Sequence, residues 1–127
     1  MTMLRKVLVS LSVLVLSVSA LPQKGMSDMD KKELAMLGKL TKSYDAAKAK
    51  FVARPKAADT KKVYISSAMA LAEAVRVSPA LGPKDKYPRS LRLFREVLKT
   101  DPGNKTAKAR RDEIEEIYRS MGRPIPK

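Results

Sequence analysis

The chain has 127 residues, with 27 Lys and Arg against 13 Asp and Glu, and its net charge is therefore +14. This length fits one domain. The sequence contains no His, Cys or Trp, which excludes Cys-His zinc sites, Ser-His-Asp or Cys-His nucleophiles and a disulfide framework. Sites built only from carboxylates, Lys or Tyr remain open.

Residues 1–20 are predicted to be a secretory signal peptide, because two basic residues precede the apolar segment 7–21 and small residues close it. We expect cleavage after Ala20, export to the periplasm or the outside of the cell, and a flexible lead over residues 21–29. The alternative is an uncleaved membrane tether. As a helix, however, the apolar segment would reach only about 22 Å, whereas a hydrocarbon core is about 30 Å thick.

A first helix is predicted over residues 30–53, with Asp28 or Asp30 as its N-cap. Its apolar side chains recur three or four residues apart and share one face: Leu37, Leu40, Tyr44, Ala47 and Phe51. Gly38 weakens the middle of the helix by about 1 kcal/mol relative to Ala, so two shorter helices are the alternative. Pro55 ends the helix.

A second helix is predicted to begin at Asp59 or Thr60, and its apolar and small residues again share one face: Tyr64, Ser67, Ala68, Leu71 and Val75. Residues 77–88 contain three prolines and a glycine and are expected to be non-helical. Such a connection exceeds the usual length of about 2–8 residues between packed helices.

A third helix is predicted from Pro88, since Leu91, Phe94, Val97 and Leu98 repeat the helical spacing. Residues 101–104 read as a turn. A fourth helix is predicted from Lys105, with Gly122 as a left-handed C-cap. No segment alternates with the period of a strand, so the sequence predicts an all-α protein of three or four helices.

The spacing Tyr44-x2-Ala47-x3-Phe51 recurs 43 residues later as Tyr87-x2-Ser90-x3-Phe94, and Pro102 follows the second Phe by eight residues. This pattern resembles the second helix of the tetratricopeptide repeat family. The departures are Pro55, which comes too soon after Phe51, and the long segment 77–88.

The tetratricopeptide resemblance implies antiparallel helix hairpins over residues 30–127 and a non-catalytic module that binds or scaffolds a protein or peptide. The groove would be lined by Tyr64, Ser67 and Leu71. Because two repeats are fewer than the three that such a stack usually needs, self-association is the alternative to capping by the terminal helices.

The acidic residues of the fourth helix form the only cluster suggestive of acid–base catalysis, with Glu113 and Glu116 as candidates beside Asp112. Basic residues three or four positions away favour ion pairing on a solvated face instead. No phosphate-binding glycine motif occurs. We therefore expect no catalytic site, no cofactor and no metal.

Four cations follow one face of the third helix: Arg89, Arg92, Arg95 and Lys99. Such a ridge suits a polyanion or an anionic lipid surface, which is the alternative function, while a merely solvated surface is the structural explanation. A genomic nucleic acid is not expected as the partner, because most of the six aromatic residues lie on predicted core faces and leave no stacking platform, and because export argues against a genomic target.

Overall fold

A computed structural model describes residues 25–127, and within this range the chain forms four α-helices and no strand. The helices are α1 (Asp28–Ala53), α2 (Ala58–Val77), α3 (Pro83–Thr100) and α4 (Lys105–Ser120). The all-α prediction is confirmed. The predicted signal peptide lies outside the described residues, and no helix within them is both long and apolar enough to cross a membrane.

The first helix begins two residues earlier than predicted, and its cap is Ser27 rather than Asp28 or Asp30. The Ser27 hydroxyl accepts a hydrogen bond from the backbone N–H of Asp30 at 3.1 Å, and the Asp30 carboxylate accepts one from the Ser27 N–H at 3.3 Å. This reciprocal capping box satisfies two exposed donors at once. The helix continues unbroken through Gly38, which decides between one helix and two.

The second helix begins at Ala58, so neither Asp59 nor Thr60 is its N-cap. Asp59 lies in the first turn, where a carboxylate suits the positive helix end. The Thr60 hydroxyl instead donates toward the carbonyls of Arg54 and Ala57, at 2.8 and 3.0 Å. These bonds tie the 54–57 connection to the helix that follows it.

The prediction that residues 77–88 are non-helical is wrong. The second helix continues to Val77 and the third begins at Pro83, so the connection is only residues 78–82. Pro83 occupies the first helical position, where a missing N–H costs nothing because that donor has no intrahelical partner. Pro88 lies inside α3, and the Ser90 hydroxyl donates at 2.8 Å to the carbonyl of Lys86 in the same turn.

The fourth helix follows the prediction closely. It begins at Lys105 behind the cap Asn104, whose side chain accepts from the N–H of Ala107 at 3.0 Å. Gly122 has φ of 63°, the left-handed conformation expected at the end of a helix.

Consecutive helices pack against one another, and their short connections make them antiparallel. Helices α1 and α3 therefore run in the same direction and meet on one face, where the guanidinium of Arg89 donates to the Thr41 hydroxyl at 2.9 Å. Helices α2 and α4 meet on the other face, where Arg110 and Glu73 approach to 2.8 Å. The core between the two layers is centred on fully buried Phe94, Leu71, Leu91 and Ile114.

Candidate anion-binding cleft

The residues predicted to line a groove are mostly in the core. Tyr64 and Leu71 are 3% and 1% exposed, and Ser67 is half-buried. The reason is that α3 packs on this face of α2, so the face that the sequence presents as a groove is already occupied. Tyr64 also stacks on Phe51 with ring centroids 4.8 Å apart. These residues are therefore unavailable to a ligand unless the helices separate.

The acidic residues of α4 form ion pairs along their own helix. Asp112 pairs with Arg111 at 3.0 Å, Glu113 with Arg110 at 3.0 Å, and Glu116 with Arg119 at 3.2 Å. Within the described residues no group of acidic side chains is arranged to hold a metal ion. This helix face behaves as the ion-paired surface that its sequence spacing suggests.

Three of the four ridge residues line one cleft, of about 430 Å³, on the α1–α3 side of the molecule. Arg92, Arg95 and Lys99 project from α3 because they lie opposite the buried stripe of Leu91, Phe94 and Val97. Arg89 does not line this cleft, since its guanidinium is turned toward Thr41. The ridge is therefore shorter than the sequence spacing indicates.

Three further residues complete this basic cleft: Lys48 from α1, Glu96 from α3, and Lys127 after α4. Sequence reasoning missed Lys48 and Lys127 because they lie on other segments than the ridge, and it missed Glu96 because its place beside Arg95 does not show which side chains from other helices it meets. The only local signal was that Lys48 lies one turn after Tyr44 on the predicted inner side of α1. Five cations and one carboxylate thus surround the cleft.

Glu96 is held in place by a network that joins three helices. Its Oε1 accepts hydrogen bonds from the hydroxyls of Tyr44 and Tyr64, both at 2.6 Å, and lies 2.7 Å from the Lys48 ammonium. Burial alone would raise the pKa of Glu96, but the bonds from Lys48 and the two tyrosines outweigh burial and lower that pKa below its usual value. Glu96 is therefore an anion whose charge is already compensated.

The same network raises the pKa values of the three groups that donate to Glu96. Burial, reinforced by the hydrogen bond to Glu96, raises the pKa of Tyr64 well above its ordinary value and that of Tyr44 in the same sense. The bond to Glu96 likewise raises the pKa of Lys48. Both tyrosines therefore remain neutral donors and Lys48 remains charged throughout the physiological range.

The cations of α3 that line the cleft differ in whether they already form ion pairs or hydrogen bonds. Arg95 donates to the carbonyl of Pro126 at 2.6 Å and to the Glu115 carboxylate at 3.2 Å. Arg92 and Lys99 are exposed and form no ion pair with any residue from 25 to 127. These two side chains are free to engage an incoming anion.

Comparison with known proteins finds no matching family model, no matching curated protein and no matching solved structure.

Proposed function

We propose that the protein is a non-catalytic binding module that holds an acidic segment of a partner protein in the basic cleft. The observation that carries the proposal is the placement of Arg92 and Lys99 beside Arg95, at the mouth of a cleft whose single carboxylate is already compensated. An acidic side chain placed there gains two charged donors without breaking an existing ion pair.

The shape of the site favours a short protein segment over a long polyanion. The cleft is bounded by α1, α3 and Lys127 rather than open along the whole length of a helix. Arg89, which would extend the cationic track along α3, is bonded to Thr41 instead.

The all-helical architecture and the resemblance to tetratricopeptide repeats support the same proposal, because stacks of helix hairpins commonly bind peptides and protein segments. The signal-like sequence of residues 1–20 supports an exported location. We accordingly place the partner among exported or envelope proteins. Binding of a polyanion remains the competing function, and the experiment below separates the two.

The test compares a double variant of the full chain, Arg92→Gln with Lys99→Gln, with the matched control Lys39→Gln with Lys42→Gln. The control removes the same charge from exposed positions of α1 outside the cleft. The probe is a fluorescein-labelled peptide of alternating Glu and Ala, and binding is measured by fluorescence anisotropy. We expect the cleft variant to lose at least about tenfold in affinity, equivalent to 1.4 kcal/mol, and the control to lose much less.

A second arm uses heparin under the same conditions. Equal losses of peptide affinity in both variants would contradict the proposal, since net charge alone would then explain binding. The polyanion function would be favoured instead if the wild-type protein binds heparin tightly but does not bind the peptide, and if the cleft variant no longer binds heparin. Heparin binding should in that case fall steeply between low and moderate salt.

A further inference from the structure

A second charged surface lies at the end of the molecule where α1 and α3 finish and α2 and α4 begin. The antiparallel order brings the 54–57 and 101–104 connections to this end. We define the lysine-rich end by seven exposed cations that do not line the basic cleft: Lys50, Arg54, Lys56, Lys61, Lys62, Lys105 and Lys108. Asp59 and Asp101 are the acidic residues among them.

Two neighbouring clefts show that these segments share one surface. Lys61 and Lys62 of α2 line a cleft of about 460 Å³ together with Asp101, which follows α3. Lys50 and Arg54 of α1 line another, of about 340 Å³, with Asp59 and Val63 of α2. The cations of α1, of the 54–57 connection and of α2 therefore meet at this end of the molecule, and Lys105 and Lys108 follow at the start of α4.

The opposite end of the molecule carries no comparable excess of charge. The first residues of α1 and α3 and the last residues of α2 and α4, with the residues just after α4, contain seven cations and seven acids: Lys31, Lys32, Arg76, Lys84, Lys86, Arg119 and Arg123, with Asp28, Asp30, Glu33, Glu73, Asp85, Glu115 and Glu116. The net charge is thus distributed unevenly along the helix axes.

Helix electrostatics explains only part of the lysine-rich end. Cations suit the C-terminal turns of α1 and α3, where the partial charge of the helix is negative. At the start of α4 the opposite holds: the first turn contains Lys105 and Lys108 and no acid, although helix N-termini favour carboxylates. Cations located where they oppose the helix dipole are not explained by helix stability and point to another role.

We propose that the lysine-rich end docks on an anionic lipid bilayer. Six of its seven cations are Lys, a compact point charge, whereas Arg is the residue suited to paired recognition of a discrete phosphate. Val52 and Val63 are 66% and 54% exposed beside these cations, so apolar groups accompany the charge. A surface of diffuse positive charge with exposed apolar side chains matches a bilayer surface. This inference is independent of the cleft.

The experiment measures sedimentation of the full chain with vesicles of phosphatidylcholine, with and without one quarter phosphatidylserine. The apolar segment 7–21 contributes equally to both vesicle types, so the measured quantity is the ratio of the two partition coefficients. The variant Lys56→Gln, Lys61→Gln, Lys62→Gln should lower this ratio by about 100-fold, at about fivefold per Lys. The matched control Lys31→Gln, Lys32→Gln, Lys84→Gln removes three charges from the opposite end and should change it much less.

Two further variants separate a bilayer from other anions. Val52→Asn with Val63→Asn should lower vesicle binding severalfold and leave heparin binding unchanged, because only a bilayer receives apolar side chains. Lys105→Glu should lower vesicle binding and raise Tm, since it places an acid at the start of α4.

The proposal is wrong if phosphatidylserine does not raise vesicle binding. It is also wrong if the two triple variants lower the ratio of partition coefficients equally, because net charge alone would then explain vesicle binding. Heparin binding that depends on Lys56, Lys61 and Lys62 without any vesicle binding would assign the surface to a soluble polyanion and overturn the bilayer assignment.

Discussion

Replacement of Glu96 by Ala is expected to be among the most damaging polar substitutions in this protein. One oxygen of Glu96 accepts hydrogen bonds from Tyr44 on α1 and Tyr64 on α2, and also pairs with Lys48. The truncation removes the acceptor of all three donors. Since these donors come from two helices, the substitution loosens the contacts of α3 with α1 and with α2.

The magnitude follows from the two tyrosine bonds. Each is a hydrogen bond to a charged group, which contributes about 1.5–3 kcal/mol. The Lys48 pair is left out because its ammonium side chain is about half exposed and such pairs contribute little. Relief of the carboxylate's own desolvation offsets part of the loss. We therefore expect Glu96→Ala to lower the free energy of unfolding by about 2–4 kcal/mol and Tm by about 10–20 °C.

Thermal unfolding followed by circular dichroism at pH 7 measures this effect. Glu116→Ala is the matched control, because Glu116 is an exposed carboxylate paired with Arg119 on the surface of α4, and it should change stability by less than about 0.5 kcal/mol. Tyr44→Phe and Tyr64→Phe should each cost about 1 kcal/mol or more. A Glu96→Ala protein that melts within about 3 °C of the wild type would refute the view that this network fastens the three helices.

The same network predicts a pH dependence. Folding lowers the pKa of Glu96. The ionised carboxylate therefore stabilises the folded protein above the ordinary glutamate pKa of about 4.3, and this contribution is lost as the pH falls through the lower pKa of the folded state. Tm measured from pH 6 to pH 3 should accordingly fall less for Glu96→Gln than for the wild type. Gly122→Ala should cost about 1–2 kcal/mol in chemical denaturation, because φ of 63° strains any residue with a Cβ, and an unchanged midpoint would contradict this conformation. Pro88→Ala should raise Tm, since it restores a backbone donor inside α3; a lower Tm would mean that packing of the proline ring outweighs the missing hydrogen bond. Ser27→Ala should cost about 1 kcal/mol by removing the cap of α1, and amide exchange should then quicken first at that helix start.

Hydrophobic spacing was sufficient to predict the four helices, but it did not place all of their ends. The end of α1 at Ala53 and the start of α4 at Lys105 match the prediction, because proline and the 101–104 turn mark them clearly. The start of α3 does not, because Pro88 was taken as the first residue of the helix and Pro83 as part of a non-helical connection. Pro83 is instead a favoured first residue, and Pro88 is close enough to the helix start to be tolerated by the packing of α3.

The candidate cleft could be predicted only in part, because it is built by tertiary contacts. Helical spacing alone placed Arg92, Arg95 and Lys99 on one face of α3. It could not show that α1 would bring Lys48 beside them or that Glu96 would be taken up by two tyrosines. The burial of two of the predicted groove residues could not be predicted for the same reason. Tyr64 and Leu71 are apolar and regularly spaced, which suits a binding groove and a helix–helix interface equally, and here α3 covers them.

The parallel course of α1 and α3 connects the basic cleft with the lysine-rich end. Because both helices finish at the same end, Lys48 of α1 and Lys99 of α3 lie between the two surfaces, and Lys99, in the last turn of α3, follows the preference of helix C-termini for cations. The cations at the start of α4 have no such local explanation and oppose the dipole of their own helix. Replacement of Lys105 by Glu should therefore raise stability and weaken membrane docking. Replacement of Arg92 by Gln should weaken binding in the cleft and have little effect on stability or on membrane docking. This difference makes the two surfaces experimentally separable, although both derive from one excess of positive charge.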